Sequence, residues 1–431
     1  MPDGAVPGAM ASLLDMMRPA GVVLDGPRLL EDLACFTWGG QRTECHEADG
    51  LRYFVNAFWT ARQRDGHSLH EISYRACFKP QLPAFFIERL TAPGDTVYDP
   101  FAGRGTTLVQ AALMGRRPAG TDVNPLSAML TAPRLDPPAL ADVAARLTGL
   151  DWADPGPDPD EPDLSPFYHP ETLGQIRALR RWLSARAATG TFDAVDGWIR
   201  MVALNRLTGH SPGFFSGYTM PPNQAVSSES QRKINAARNQ VPPPRDVAAL
   251  ILRKSRALLA DGPPPPHPPA WLTTGPADGA ANGADPACHG ATGPAAGSVD
   301  LLVTSPPFLD VVDYRGDNWL RCWFAGIDPG SVAIDSHRSL PAWEAFVRRS
   351  FTRFATQLRP GAFAAFEVGE VRGGSVLLEH HVAASVAGLP FTLLGVMVNR
   401  QAFTKTAKCW GVDNNRRGTN TNRIVLLQRH A

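Results

Sequence analysis

Apolar residues in this chain recur in two rhythms, and the place where one gives way to the other is informative. Thr96-Val97-Tyr98 is a short apolar run closed by Asp99-Pro100, which predicts a buried strand. A glycine turn follows, and then TTLVQAALMGR, whose apolar positions fall at helical spacing. Pro118 to Thr121 runs as a second strand into Asp122. Strand, glycine turn, helix, strand, acidic residue is the opening of a doubly wound α/β domain. Upstream, residues 28–90 alternate aromatic and polar positions and end in an apolar helix, PAFFIERLTA.

Past Asp122 the alternation stops. Residues 132–165 are rich in Pro and Asp and read as a linker. Helical periodicity returns over 171–207 and again in RDVAALILRKSRALLA at 245–260, separated by a polar, aromatic and proline-rich stretch at 208–244. A strand is expected near Trp271–Thr274, a Gly/Ala/Pro-rich segment over 279–298, and a buried strand at Val299–Val303. The helix FVRRSFTRFATQL, the strand AFAAFEV, a further helix and a β-rich end complete the chain. The expectation is therefore a doubly wound Rossmann-like sheet interrupted by a largely helical insertion. The expected division is an extension over 1–60, a main domain over 61–131 and 245–431, and the insertion over 132–244.

Charge changes this picture locally. The whole chain carries only +1, but residues 171–260 hold 13 Lys/Arg against 5 Asp/Glu, and residues 400–430 hold 7 against 1. Two basic stretches in a neutral protein suit a localised phosphate-binding surface, although a solvated face would look the same. Residues 151–163 carry 6 acidic side chains and no basic one. The six cysteines form no CxxC pair and neither Cys-His dipeptide has a second pair at zinc spacing, so no metal site is expected. The start of the chain reads poorly as a signal peptide, and no run of 18 apolar residues exists, so a cytoplasmic location without a membrane span is expected.

The glycine turn is Asp99-Pro100-Phe101-Ala102-Gly103-Arg104-Gly105-Thr106-Thr107. Glycine lets backbone approach a ligand with no Cβ in the way, and the helix behind presents free N–H groups. The third glycine of a dinucleotide turn is missing, as is the lysine of a phosphate loop. A ligand with a carboxylate or ribose on the turn remains, and Asp122 stands where it can accept from ribose hydroxyls.

These residues resemble a known family. DPFxGxGTT, followed by a helix and a strand ending in Asp122-Val123-Asn124-Pro125, is similar to motifs I and II of the amino-directed DNA methyltransferases. Phe78-Lys79-Pro80 before an apolar helix resembles the Lys-Pro element of their motif X, which in the family folds over the methionine moiety of the cofactor. Asp278, in Gly275-Pro276-Ala277-Asp278, falls where motif III places an acid near the cofactor's adenine; a plain loop aspartate fits as well. The resemblance implies S-adenosylmethionine as cofactor, held by Lys79, Pro80, Asp99, Pro100, Phe101, Gly103, Gly105, Thr106, Thr107, Asp122, Asn124 and Asp278.

Thr304-Ser305-Pro306-Pro307-Phe308 follows the strand VDLLV. Two prolines end a central ladder and leave their carbonyls aimed elsewhere. Methyl transfer to an exocyclic amine needs acceptors for the amino hydrogens, which the Ser305 hydroxyl and Pro306 carbonyl can supply, and Phe308 can stack on an extruded base. The alternative is a plain strand-ending turn with a buried Phe. The tetrad resembles motif IV of the same family, in the serine form typical of cytosine-N4 enzymes, with Ser305, Pro306, Pro307 and Phe308 as its catalytic residues. Ring-carbon methylation needs a thiolate, usually in Pro-Cys, and the chain has no such dipeptide.

Segment 209–235 mixes Phe214, Tyr218, Asn223 and Gln224 with Arg232 and Lys233, and the C-terminal run holds Arg416 and Arg417. Amides can read base edges and cations can hold phosphate, so these are the candidate contacts to double-stranded DNA; an ordered loop and a hairpin turn are the structural alternatives. In the family such an insertion commonly carries target recognition. Cytosine-N4 methylation of DNA is the leading expectation, the alternatives being adenine-N6 methylation of DNA, base-amino methylation of RNA, or a DNA-binding specificity subunit without catalysis. No ATPase loop or nuclease constellation is seen, so any cognate restriction endonuclease is expected to be encoded separately.

Overall fold

The computed structural model describes residues 23–59, 66–74, 77–221, 224–279, 294–307, 309, 314–332, 337, 339–371, 375–400 and 421–431. Its strands are β1 (Thr37–Trp38), β2 (Gln41–Arg42), β3 (Glu44–Ala48), β4 (Leu51–Asn56), β5 (Thr96–Asp99), β6 (Arg117–Asp122), β7 (Trp271–Thr274), β8 (Val299–Thr304), β9 (Leu358–Val368), β10 (Glu370–Val371), β11 (Val376–Leu377), β12 (Phe391–Arg400) and β13 (Thr421–Arg429). Nine of them form one sheet in the order β3-β4-β12-β13-β9-β8-β5-β6-β7. The run β9-β8-β5-β6-β7 is parallel, and β4 is parallel to β12. Only β3 and β13 run against their neighbours.

Both faces of the sheet are covered, and side chains sort by the period of two. Val97, Leu301, Val303, Ala365, Ile424 and Leu426 turn to one face, against the helices Gly26–Cys35 and Gln81–Leu90. Tyr98, Leu302, Ala364, Phe366 and Val425 turn to the other, against Leu340–Gln357 and Leu378–Val386. This is the expected doubly wound α/β arrangement. From β5 the chain moves outward through β6 and β7, then returns to place β8 on the opposite side of β5. The β5/β8 boundary is thus the topological switch point, where open α/β sheets leave a ligand crevice at the carboxyl ends of their strands.

Two expected boundaries move. The extension expected over 1–60 supplies β3 and β4, which pair into the main sheet, because Tyr53–Asn56 match Val396–Asn399 in parallel register. The insertion expected over 132–244 is not a separate lobe. Its helices Leu140–Thr148, Pro170–Ala188 and Ala194–Leu204 share one apolar core with Thr106–Leu113, Leu126–Leu135 and Val247–Leu258. Within it, Leu140–Thr148 is helical where a linker was expected, since Val143 and Leu147 lie one helical turn apart and both bury. Ser228–Arg238 is helical too, although Gln231 is its only buried residue. Among the described residues no helix is long and apolar enough to cross a membrane.

Candidate active site

The carboxyl ends of β6, β5, β8 and β9 are tied into one polar rim. At the end of β5, Asp99 is buried, and its carboxylate accepts from the Thr304 hydroxyl at the end of β8 and from the Phe101 N–H at 3.1 Å. Burial pushes this acid up to about 6, against the hydrogen bonds that favour its charged form. Thr107 donates to the Val303 carbonyl at 3.2 Å, tying the helix behind the turn to β8. Thr106 accepts from Arg104 Nε at 3.1 Å. Asp99, Pro100, Thr106 and Thr107 are thus buried framing of the turn, while Phe101 is half-buried and packs its ring on Phe346 at 5.6 Å.

The two glycines of the turn differ. Gly103 has φ +51°, and a Cβ there would meet nothing nearer than the Phe101 carbonyl at 3.8 Å and the Tyr74 ring at 4.0 Å. A Cβ there would make ordinary contacts and no clash. Gly105 has φ +76°, and a Cβ there would strike Thr131 of helix Leu126–Leu135, with Cγ2 at 2.6 Å. Gly105 is required by packing. Asp122, part-exposed at the end of β6, accepts from the N–H of Gly103 and of Asn124, both at 2.8 Å. Burial raises its pKa against those two bonds. It therefore fixes the turn, with lone pairs left over for a ligand. Asn124 is buried, and its side chain accepts from Leu126 N at 3.0 Å, which starts the next helix.

Other expected residues flank this rim. Pro80 precedes Gln81–Leu90, and half-burial lowers the Lys79 pKa. Cys77, two residues before Lys79, lies close enough to feel the Glu367 charge. Asp278, after β7, pairs with Arg349 at 3.1 Å. Sequence reasoning missed Tyr74, beside Gly103, and the fully buried Arg134. Arg134 donates to the carbonyls of Leu130 (2.8 Å), Leu69 (3.1 Å) and Arg104, bracing the turn from behind.

At the end of β8 Ser305 lies close enough to Glu367 on β9 for its hydroxyl to favour the charged carboxylate. Glu367 also takes the side-chain amide of Asn422 from β13, and burial pushes its carboxyl up to about 7. The Pro307 carbonyl accepts from Trp343 Nε1 at 3.0 Å, which pins the diproline. Pro306 is buried, and among the described residues its carbonyl meets no donor. Phe308 lies outside the described residues. Glu367 and Asn422 were also missed; the one local signal was an acid in the apolar strand AFAAFEV.

The candidate nucleic-acid residues are not gathered with this rim. Phe214 is buried, under the Arg206 guanidinium at 4.1 Å from its ring centroid. Tyr218 is half-buried beneath Arg238, at 3.8 Å, and Gln224 is half-buried. Arg232 and Lys233 are exposed but paired with Asp163 and Glu229. Arg177, Arg180 and Arg181 likewise pair with Asp154, Asp158 and Glu161. The acidic segment 151–163 therefore folds onto the basic one and neutralises much of it. Asn223, Arg416 and Arg417 lie outside the described residues.

Comparison with known proteins bears on this arrangement. Residues 43–129, from β3 through the glycine turn and Asp122, match the model of a family described as DNA methylase, of the N6/N4 type. The type II methyltransferase M.MjaII of Methanocaldococcus jannaschii is 38% identical over 74 residues, 17% of this chain and 14% of that protein. The type II methyltransferase M.MvaI of Kocuria varians is 34% identical over 172 residues, 38% of this chain and 34% of that protein. The chain thus matches about a third or less of the length of these relatives. Among solved structures, an rRNA methyltransferase, AviRa of Streptomyces viridochromogenes, aligns over 84% of this chain and 90% of its own, at 15% identity and a TM-score of 0.29, so the topology is read from the strand order itself. The glycine turn, its helix and the acidic strand end all lie inside the segment that is similar to the N6/N4 DNA methylases.

Proposed function

We propose that this protein is an S-adenosylmethionine-dependent DNA methyltransferase acting on the exocyclic N4 amino group of cytosine. The observation that carries the reading is the hydrogen-bonded rim itself, which sets Gly103 and Asp122 on one side of the switch point and Ser305-Pro306 on the other. The residues fit the cofactor: no atom crowds the Cβ direction of Gly103 closer than 3.8 Å, and the Asp122 carboxylate stands part-exposed beside it. Asp122 is assigned to the ribose hydroxyls, the Gly103 backbone to close approach, and Lys79-Pro80 and Asp278 to the two ends of the molecule. Bound there, S-adenosylmethionine supplies an electrophilic methyl group on a sulfonium.

The rest falls to the chain's own groups. The Ser305 hydroxyl and the Pro306 carbonyl accept the two amino hydrogens, which directs the nitrogen lone pair away from the ring system and toward attack. Phe308 is assigned to stacking on the extruded base. Catalysis is then mostly orientation and electrostatics. Duplex DNA is the proposed partner, with the outer loops of the helical block and the C-terminal basic run as its contacts. Serine at position 305, in place of an acid, favours cytosine over adenine. The test is nucleoside digestion and mass spectrometry of duplex DNA and of RNA after incubation with protein and labelled cofactor. N4-methylcytosine in DNA is expected. N6-methyladenine refutes the cytosine assignment alone, and label confined to RNA refutes the DNA assignment.

A further inference from the structure

Ser305 and Glu367 crest two neighbouring parallel strands. Thr304 of β8 stands opposite Phe366 of β9, so the residue after each lies at the same level of the rim. Glu367 is only 5% exposed, and its partners there are neutral: the Ser305 hydroxyl and the Asn422 amide. Among the described residues, the charged or titratable groups that face it are Asp99 on β5 and the thiol of Cys77, neither of them a cation. Arg423, next to Asn422, spends a guanidinium nitrogen on Glu379 instead. A buried carboxyl with no paired cation among the described residues costs stability.

We propose that Glu367 is a positioning residue that fixes the Ser305 hydroxyl as an acceptor and then receives a proton through it. The role rests on the amino-methyltransferase reading above. A freely rotating serine hydroxyl can offer either its hydrogen or its lone pairs to an amine. With its hydrogen committed to Glu367, it offers lone pairs only. When the amine lone pair forms the bond to the methyl carbon, the carbon–sulfur bond breaks and its electron pair stays on sulfur. The nitrogen is then positive and carries a hydrogen in excess. That hydrogen passes as a proton to Ser305 Oγ while the Ser305 proton passes to the Glu367 carboxylate. A neutral methylamino base, an intact serine and a neutral carboxylic acid result, and the acid later gives its proton to water. Burial holds the Glu367 carboxyl at about 7, where it is both ionised enough to accept and basic enough to hold the proton near neutral pH.

The experiment uses the full chain with Glu367→Gln, Glu367→Asp and Ser305→Ala. One readout needs neither cofactor nor turnover: carbon-13 NMR titration of the Glu367 carboxyl. It is expected near neutrality in the wild type and displaced upward in Ser305→Ala, since the hydroxyl favours the charged form. The second is the single-turnover rate of transfer to duplex DNA against pH. The wild-type rate should rise about tenfold per unit below neutrality and then level off; Glu367→Gln should lose that limb and fall by roughly 10²-fold, and Glu367→Asp should regain part of both. Calorimetric affinity for S-adenosylmethionine should hold in Glu367→Gln. A wild-type rate and pH profile in Glu367→Gln overturn the proposal, as does a Glu367 titration indifferent to Ser305→Ala. If the wild type methylates no nucleic acid, the functional reading falls and this role with it, and the cofactor-free titration alone then reports whether the pair is coupled.

Discussion

Replacing each glycine of the turn by alanine should separate folding from binding. At Gly105 the backbone is left-handed, φ +76°, and the new Cβ would lie 2.6 Å from Thr131 Cγ2 and 2.9 Å from Thr131 Cβ. Holding an L-residue in that conformation costs about 1–2 kcal/mol, and forcing a methyl into a packed contact about 1–3 more. Gly105→Ala should therefore lose about 2–5 kcal/mol, a large part of the stability of a typical domain. At Gly103 the conformational cost is similar, φ +51°, but the nearest atom is 3.8 Å away, so Gly103→Ala should lose only about 1–2 kcal/mol. Urea denaturation reads both. Thr131→Ala removes Oγ1 and Cγ2 and keeps Cβ, so combining it with Gly105→Ala should recover about 1 kcal/mol over the sum of the single changes. Binding should show the opposite order: the methyl of Gly103→Ala points into the space assigned to the cofactor, and calorimetric affinity should fall. Equal stability of the two variants would refute the packing argument, and undiminished affinity in Gly103→Ala would put the cofactor elsewhere.

Two further outcomes follow from the charges. Asp99 and Glu367 titrate at about 6 and about 7 in the folded protein, against 3.8 and 4.5 for their ordinary values. Both are raised, so the folded state gains by holding their protons; that gain is full below about pH 4 and is lost as pH rises through 6 and 7, about 3 kcal/mol for each acid at 1.36 kcal/mol per unit. Urea midpoints of Asp99→Asn and Glu367→Gln should therefore fall less than wild type between about pH 5 and about pH 8; parallel curves would show that these acids are not held up by burial. On the surface, Asp163→Asn frees Arg232 from its ion pair, so the salt dependence of DNA affinity, followed by fluorescence anisotropy, should steepen by about one unit of slope. An unchanged slope would remove helix Ser228–Arg238 from the DNA contacts.

Local chemistry was readable and through-space chemistry was not. The stretch from Thr96 to Asp122 announces itself, because strand, turn, helix and acid are consecutive in the chain. The meeting of Ser305 with Glu367 depends on the register of β8 against β9, which no neighbour in sequence reports. The helix Ser228–Arg238 is polar nearly all round, with Gln231 alone buried, so it has no apolar stripe to reveal it. The arginines of Pro170–Ala188 looked like a free cationic face because their partners, Asp154, Asp158 and Glu161, lie in another segment. β3 and β4 fall within the expected extension over 1–60 for the same reason, since β4 pairs with β12 from the far end of the chain.

The apolar core shared by the helical block and the glycine-turn helix has a consequence for how such proteins can diversify. Leu108 and Val109, behind the turn, sit in the same cluster as Ile176, Leu179, Trp198, Val202 and Ile251. The block is therefore a buttress as well as a platform. Removing it would leave the helix under Gly103 without its packing partners. Substitutions on its outward loops leave that buttress untouched.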